Sequence, residues 1–236
     1  MSQPTVVLVH GAFAESASWT GVIARLQAAG HRTIAVSNPL RSLSGDAAAV
    51  KAVLDSVEGP VVLVGHSYGG AVMSGAVRGS RAVQALVFVA AFAPLEGESI
   101  GELSGRFPGS TLGETIETVP LADGSTDLYI RQDLYHQQFA ADLSAGEAAL
   151  GAATQRPLRD VALNEGAAAS PAWQRIPSWF LIPELDRNIP PQAQRFMADR
   201  AGAHEVVELP GASHAVPASR PDDVADAVLR AVKATA

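Results

Sequence analysis

The chain has 236 residues, 47% of them hydrophobic and 17% charged, and a formal net charge of −7 at pH 7. A chain of this length buries roughly 70–75% of its unfolded surface, enough for one full-sized domain with a large core. The acidic balance supplies no clustered Lys and Arg, so nucleic acid and anionic membrane surfaces are not expected partners. The chain has no cysteine, which excludes disulfides, thiolate catalysis and cysteine-ligated zinc. Any nucleophile is therefore oxygen or nitrogen, and no metal site or cofactor is expected. Apolar runs such as Val83 to Pro94 are too short and interrupted to span a bilayer. The N-terminus MSQPTVVLVHGAF lacks a basic leader and passes straight into a strand-like run, so a cytoplasmic location is expected.

Short apolar, β-branched runs occur at Thr5–Val9, Arg32–Val36, Pro60–Val64, Gln84–Val89, Ser178–Ile182 and Glu205–Leu209. Consecutive rather than alternating apolar residues read as strands buried on both faces. Helix-like segments lie between them. Ser18 is placed to cap a helix carrying Trp19, Val22, Ile23 and Leu26 and ending at Gly30; Asp46 is placed to cap one carrying Val50, Val53 and Leu54. Gly70–Val77, Pro191–Ala201 and Pro221–Lys233 complete the set. Strand and helix alternate, which predicts an α/β fold with a doubly wound, mostly parallel sheet of about six strands and helices on both faces.

The alternation stops between Pro94 and Pro177. This stretch begins Gly/Ser-rich, carries a hairpin signal at PLADGSTDLYI with Asp123-Gly124 as the turn, and becomes helical through RQDLYHQQFAADL and AGEAALGAA. Residues 95–176 are therefore expected to form a mainly helical cap inserted before the fifth strand, with 1–94 and 177–236 as the core. The insertion follows a strand end, where open α/β sheets bind ligands.

Between the third strand and its helix the chain reads GHSYGG. Gly65-x-Ser67-x-Gly69 at a strand-to-helix junction is the pattern of a nucleophile elbow: the tight turn strains the central residue, and glycines two places either side remove colliding Cβ atoms. A hydroxyl needs a base, and the base needs an acid that fixes its tautomer. Of six histidines, His10 and His66 lie at strand ends without a downstream loop to carry them over the serine. His31 and His204 precede strands, and His136 lies in the insertion. His214, in the loop GASHAVP after the last strand, remains as the base. The strand SWFLIP ends in Glu184-Leu185-Asp186, which offers Asp186 as the acid with Glu184 as the fallback. The N–H of Tyr68, and that of Ala12 or, second, Phe13 in the turn VHGAF, are expected to bind a developing oxyanion. Phe13, His66, Tyr135, Phe139 and Trp173 are expected to shape a substrate pocket.

VVLVHGAFAESASW, AAGHRTIAV, GHSYGGAV, ELDRNIPPQAQRFMADR and PGASHA together resemble the α/β-hydrolases, over nearly the whole chain. More narrowly they resemble the small cap-bearing carboxylesterases, a group with bacterial esterases, plant methyl esterases and hydroxynitrile lyases. The 28-residue interval from Asp186 to His214 matches that group and supports Asp186 over Glu184. The resemblance implies a cofactor-free hydrolase of small, fairly apolar esters, working through an acyl-enzyme on Ser67, with a homodimer compatible. Lyases of the group carry threonine where Gly11 stands and lysine where Ala215 stands, so the lyase branch is disfavoured. The other readings are a non-catalytic ligand-binding homologue and carbon–carbon or amide cleavage on the same triad.

Overall fold

The computed structural model describes residues 3–235. From the N-terminus the elements are β1 (Thr5–Val9), α1 (Thr20–Ala28), β2 (Thr33–Val36), α2 (Leu43–Asp55), β3 (Val61–His66), α3 (Tyr68–Ala76) and β4 (Val83–Val89). An excursion follows, of α4 (Ile100–Gly105), β5 (Ile116–Pro120), β6 (Thr126–Ile130), α5 (Gln132–Phe139), α6 (Ala145–Thr154), β7 (Leu158–Arg159) and α7 (Val161–Asn164). The chain then completes β8 (Ser178–Pro183), α8 (Pro191–Ala201), β9 (Glu205–Leu209), α9 (Val216–Ser219) and α10 (Pro221–Ala234). Six strands form one sheet in the order β2-β1-β3-β4-β8-β9, every neighbouring pair parallel.

Because side chains alternate across a strand, each central strand feeds two cores at once. Val7, Val9, Val61 and Leu63 face one core, shared with α2, α3 and α8. Val6, Leu8, Val62 and Val64 face the other, shared with Trp19, α1 and α10. The continuous apolar runs in the sequence record this two-sided burial.

Two expected helix caps are corrected. Ser18 lies inside a 3-10 turn, Ser16–Trp19, and its hydroxyl donates to the Glu15 carbonyl at 2.7 Å. The N-cap of α2 is Ser42, whose Oγ accepts from the Gly45 N–H. Asp46 is instead fully buried and accepts from the Arg41 N–H at 3.0 Å and the Tyr68 hydroxyl at 2.8 Å. Burial pushes its carboxyl above the ordinary range, against those hydrogen bonds. An acidic residue near a helix start reads as a cap in sequence; only the tertiary contact with Tyr68 gives it another task.

Within the excursion, β5, β6 and β7 form a separate antiparallel sheet in that order, and Gly124 at φ +83° turns the β5–β6 hairpin. The two-residue β7 has no signal in the sequence. This segment is bonded to the carboxyl edge of the main sheet. The Arg41 guanidinium meets Asp127 at 2.6 Å, the Arg159 N–H donates to the Leu40 carbonyl at 3.0 Å, and Glu165 accepts from the Leu43 N–H at 2.6 Å.

Beneath the junction of β4 and β8, the rings of Phe88 and Phe180 stack at 4.5 Å, both fully buried. Replacing Phe180 by Ala is expected to destabilise the protein by about 3–5 kcal/mol, read as a lowered urea midpoint; an unchanged midpoint contradicts this packing.

Candidate active site

Ser67 joins β3 to α3 with φ +54° and ψ −124°, a backbone region that L side chains rarely occupy. Such a residue stores about 1–3 kcal/mol of strain, and the neighbouring glycines explain how it is accommodated. A Cβ on Gly65 would lie 2.7 Å from the Gly69 carbonyl oxygen, and one on Gly69 would strike the Val9 carbonyl. One on Gly11 would lie 2.7 Å from the Ser67 Cβ itself. Ser67 thus stands at the carboxyl edge of the sheet, at the start of α3, where positive helix dipole and free N–H groups face outward.

His214 Nδ1 lies 2.7 Å from Asp186 Oδ2, with both residues buried. The other Asp186 oxygen accepts from the Asn188 and Ile189 N–H groups at 2.8 and 2.9 Å. Oδ2 also accepts from Gln194 Nε2 at 2.8 Å. Four donors saturate this carboxylate and fix its orientation. The bond assigns the proton to His214 Nδ1 and leaves Nε2 as the bare nitrogen. Ser67 and His214 line one cavity of about 30 Å³ together with Ala12, Phe13, Tyr68 and Ile189. Glu184 lies elsewhere: its side chain accepts from the Gly211 N–H at 2.8 Å.

A backbone bond distinguishes Ala12 from Phe13. The Phe13 N–H donates to the Arg156 carbonyl at 3.0 Å and is spent. Among the described residues no acceptor is bonded to the N–H of Ala12 or Tyr68, and both residues face the cavity. His10 completes the arrangement. Its Nε2 accepts from the Asn38 N–H at 3.1 Å, so Nδ1 carries the proton and donates to the Gly11 carbonyl at 2.9 Å. In a trans peptide the C=O and the next N–H point in opposite directions. Holding the Gly11 oxygen therefore aims the Ala12 N–H the other way. Nothing in the sequence separates this role of His10 from that of an ordinary strand-end residue, and Gln194 is equally silent there.

His66 donates from Nε2 to the His214 carbonyl at 2.9 Å, which holds the backbone that carries the His214 ring. It does not line the Ser67 cavity. With Tyr135 and Phe139 it borders a separate groove on the far side of the His214 loop. Trp173, expected at the pocket, is in neither space. Its indole N–H donates to the Pro94 carbonyl at 3.1 Å and its ring packs under the Arg200 guanidinium, so it joins the insertion to α8. His136 bonds only within the insertion, to the Leu143 carbonyl. Among the described residues no cluster of His, Asp and Glu is arranged to hold a metal ion, and no helix is long and apolar enough to cross a membrane.

Residues 6–227 match the model of the alpha/beta hydrolase family. The chain belongs to that family. Among curated family relatives it is 31% identical to the alpha/beta hydrolase nvfD of Aspergillus novofumigatus, over 94% of each chain. It is 27% identical to esterase PIR7B of Oryza sativa subsp. japonica, over 97% of this chain and 96% of the relative. Among solved structures, polyneuridine aldehyde esterase superposes with a TM-score of 0.82 at 20% identity, covering 97% of this chain and 99% of that one. Methylesterase MES16 from Arabidopsis superposes at 0.81 and 17% identity, covering 98% and 99%. The six-stranded parallel sheet with helices on both faces is the fold of that family.

Two predictions follow from the buried network. Gly11→Ala pushes a Cβ against Ser67 and is expected to lower turnover about a hundredfold, with little change in far-UV circular dichroism. Wild-type turnover in that variant refutes the contact. The second concerns pH. Burial lowers His10 from 6.5 to about 4 and holds His66 well below its ordinary value, with the neighbouring His214 acting in the same direction. Below pH 6.5 the unfolded chain binds protons that the folded one refuses. Stability is therefore complete above pH 6.5 and is lost as pH falls toward 4, with His10 contributing about 3 kcal/mol. Chemical denaturation across that interval measures the slope, which His10→Gln should reduce.

Proposed function

We propose that this protein is a serine carboxylesterase acting on small, fairly apolar esters through an acyl-enzyme. The observation that carries the reading is the 2.7 Å bond between His214 and Asp186, with His214 facing the same cavity as the strained Ser67. The relatives named as esterases support it.

Ser67 Oγ attacks the ester carbonyl carbon while His214 Nε2 takes its proton, and the Asp186 carboxylate stabilises the imidazolium. The carbonyl oxygen becomes an oxyanion held by the N–H groups of Ala12 and Tyr68, at the N-terminus of α3. On collapse the bond to the alcohol oxygen breaks, and that oxygen takes the proton from His214. Water then attacks the acyl-enzyme, giving its proton to His214, and the acid leaves as Ser67 recovers its hydrogen. Water and ester become acid and alcohol, with no redox change and no cofactor.

Residues 95–176 serve as the cap over this site. Ile100, Ser104, Leu112, Leu158 and Leu163 close the cavity from above, so substrate entry requires the cap to shift. The Gly11 contact with Ser67 leaves no room for the hydroxyl that the lyase branch places there.

Ser67→Ala is expected to abolish hydrolysis of p-nitrophenyl acetate and labelling by a fluorophosphonate, with the fold intact. Full residual turnover sinks the assignment; an unlabelled wild-type serine favours a binding protein on this fold. Asp186→Asn should lower kcat by roughly 10³–10⁴-fold through the wrong histidine tautomer, whereas Glu184→Gln should leave kcat near the wild-type value.

A further inference from the structure

Each of the two free N–H groups facing the Ser67 cavity follows a carbonyl that is held in place. For Ala12 the tether is His10, which donates to the Gly11 carbonyl. For Tyr68 the preceding carbonyl is that of Ser67, which accepts from the Gly70 N–H at 3.0 Å and the Phe92 N–H at 3.2 Å. The Ser67 N–H is held as well, by the Val89 carbonyl at 3.1 Å. A carbonyl and the next N–H point in opposite directions across a trans peptide, so these bonds aim the Tyr68 N–H away from the chain that follows β4. One freedom is left. α3 starts at Tyr68, and a tilt of its first turn carries the N–H with it.

The Tyr68 side chain removes that freedom. It is buried, and its hydroxyl donates to Asp46 Oδ2 at 2.8 Å. Burial pushes the phenol above its ordinary range, so it stays protonated and is the donor. Asp46 stands in the first turn of α2, the helix packed on α3. Its other oxygen accepts from the Arg41 N–H at 3.0 Å. The Arg41 guanidinium is spent elsewhere, on Asp127 at 2.6 Å and the Pro157 carbonyl at 2.9 Å. Among the described residues no cationic side chain is bonded to the Asp46 carboxyl, which is fully buried.

Such a carboxyl is an expensive way to hold a phenol. A Phe packed on a Leu fills similar space with nothing to desolvate, and apolar replacement of a whole buried polar pair is often neutral or stabilising. What the pair adds is a fixed direction and distance between α2 and the residue that carries the N–H. We propose that Asp46 is a positioning residue of the active site, fixing the oxyanion N–H of Tyr68 through the Tyr68 hydroxyl. This rests on the esterase reading above and extends its oxyanion site to α2.

Tyr68→Phe deletes the hydroxyl and keeps the ring and the N–H. Its kcat/KM for p-nitrophenyl acetate is expected to fall about tenfold, part of the roughly 10²–10³ that loss of a whole oxyanion donor costs, with far-UV circular dichroism unchanged. A trifluoromethyl ketone takes Ser67 Oγ onto its carbonyl carbon while His214 accepts the proton, and the oxyanion so formed needs the same two N–H groups. Its Ki should rise by the factor that kcat/KM falls, whereas a purely structural bond would lower the urea midpoint and leave Ki alone. Asp46→Leu should match Tyr68→Phe in both constants, and the double variant should be no worse than either single one. Wild-type kcat/KM in Tyr68→Phe, a Ki that does not follow, or losses that multiply in the double variant each overturn the assignment. If Asp46→Leu fails to fold, the two constants of Tyr68→Phe decide it. A wild type that hydrolyses the ester, matched by Tyr68→Phe, sinks this assignment alone. A wild type that neither hydrolyses it nor is labelled at Ser67 by a fluorophosphonate sinks the esterase reading, and this one with it.

Discussion

The structure depends on one close approach, the crossing of the β1 turn, the end of β3 and the start of α3 at Ser67. Three glycines there stand where any Cβ would meet backbone or the serine itself at 2.8 Å or less. Without that approach α3 could not start directly at Tyr68, and the serine would not project over the sheet edge. The strain at Ser67 is one of several left-handed backbone positions on that edge. Phe13 follows β1 at φ +59°, Leu40 follows β2 at φ +63°, and Ala90 follows β4 at φ +46°. Each strand end is bent sharply where the site is assembled, as expected where function rather than stability sets the backbone.

Backbone carbonyls do much of the positioning. His10 and His66 are buried, held neutral by that burial, and each donates one N–H to a carbonyl next to the site. One aligns the peptide that presents the Ala12 N–H; the other supports the chain that carries His214. Using neutral imidazoles in this way keeps extra positive charge away from the base. It also leaves the fold sensitive to acid, because protonation puts a charge on a buried ring and removes the His10 nitrogen that accepts from the Asn38 N–H.

The insertion reaches both loops of the charge system. Gln138 donates to the Arg187 carbonyl and to Asn188, which flank the acid, and Asn188 donates back to the Gln138 carbonyl. Ser213, the residue before the base, donates to Asp142 just past α5. The insertion is thus bonded to the residues beside Asp186 and His214, so its placement and the orientation of those two side chains are coupled by ordinary hydrogen bonds.

The sequence by itself determined the sheet and the glycine-flanked turn at Ser67. Six doubly buried strands leave continuous apolar runs, and the glycines around Ser67 have no cheaper reason to be spaced as they are. It also put Asp186 and His214 in loops after two parallel strands, and parallel strands deliver every following loop to one edge. Tertiary structure alone decided the rest. Asp46 was drawn from an apparent cap into the core by Tyr68, and the Phe13 N–H was taken by the Arg156 carbonyl, from a segment far away in the chain. Trp173 was turned to Pro94 and Arg200 rather than to the pocket. Local patterns report what a residue does for its own helix or strand. Partners from other elements of the chain compete for the same donors and acceptors, and only the folded chain settles which of them wins.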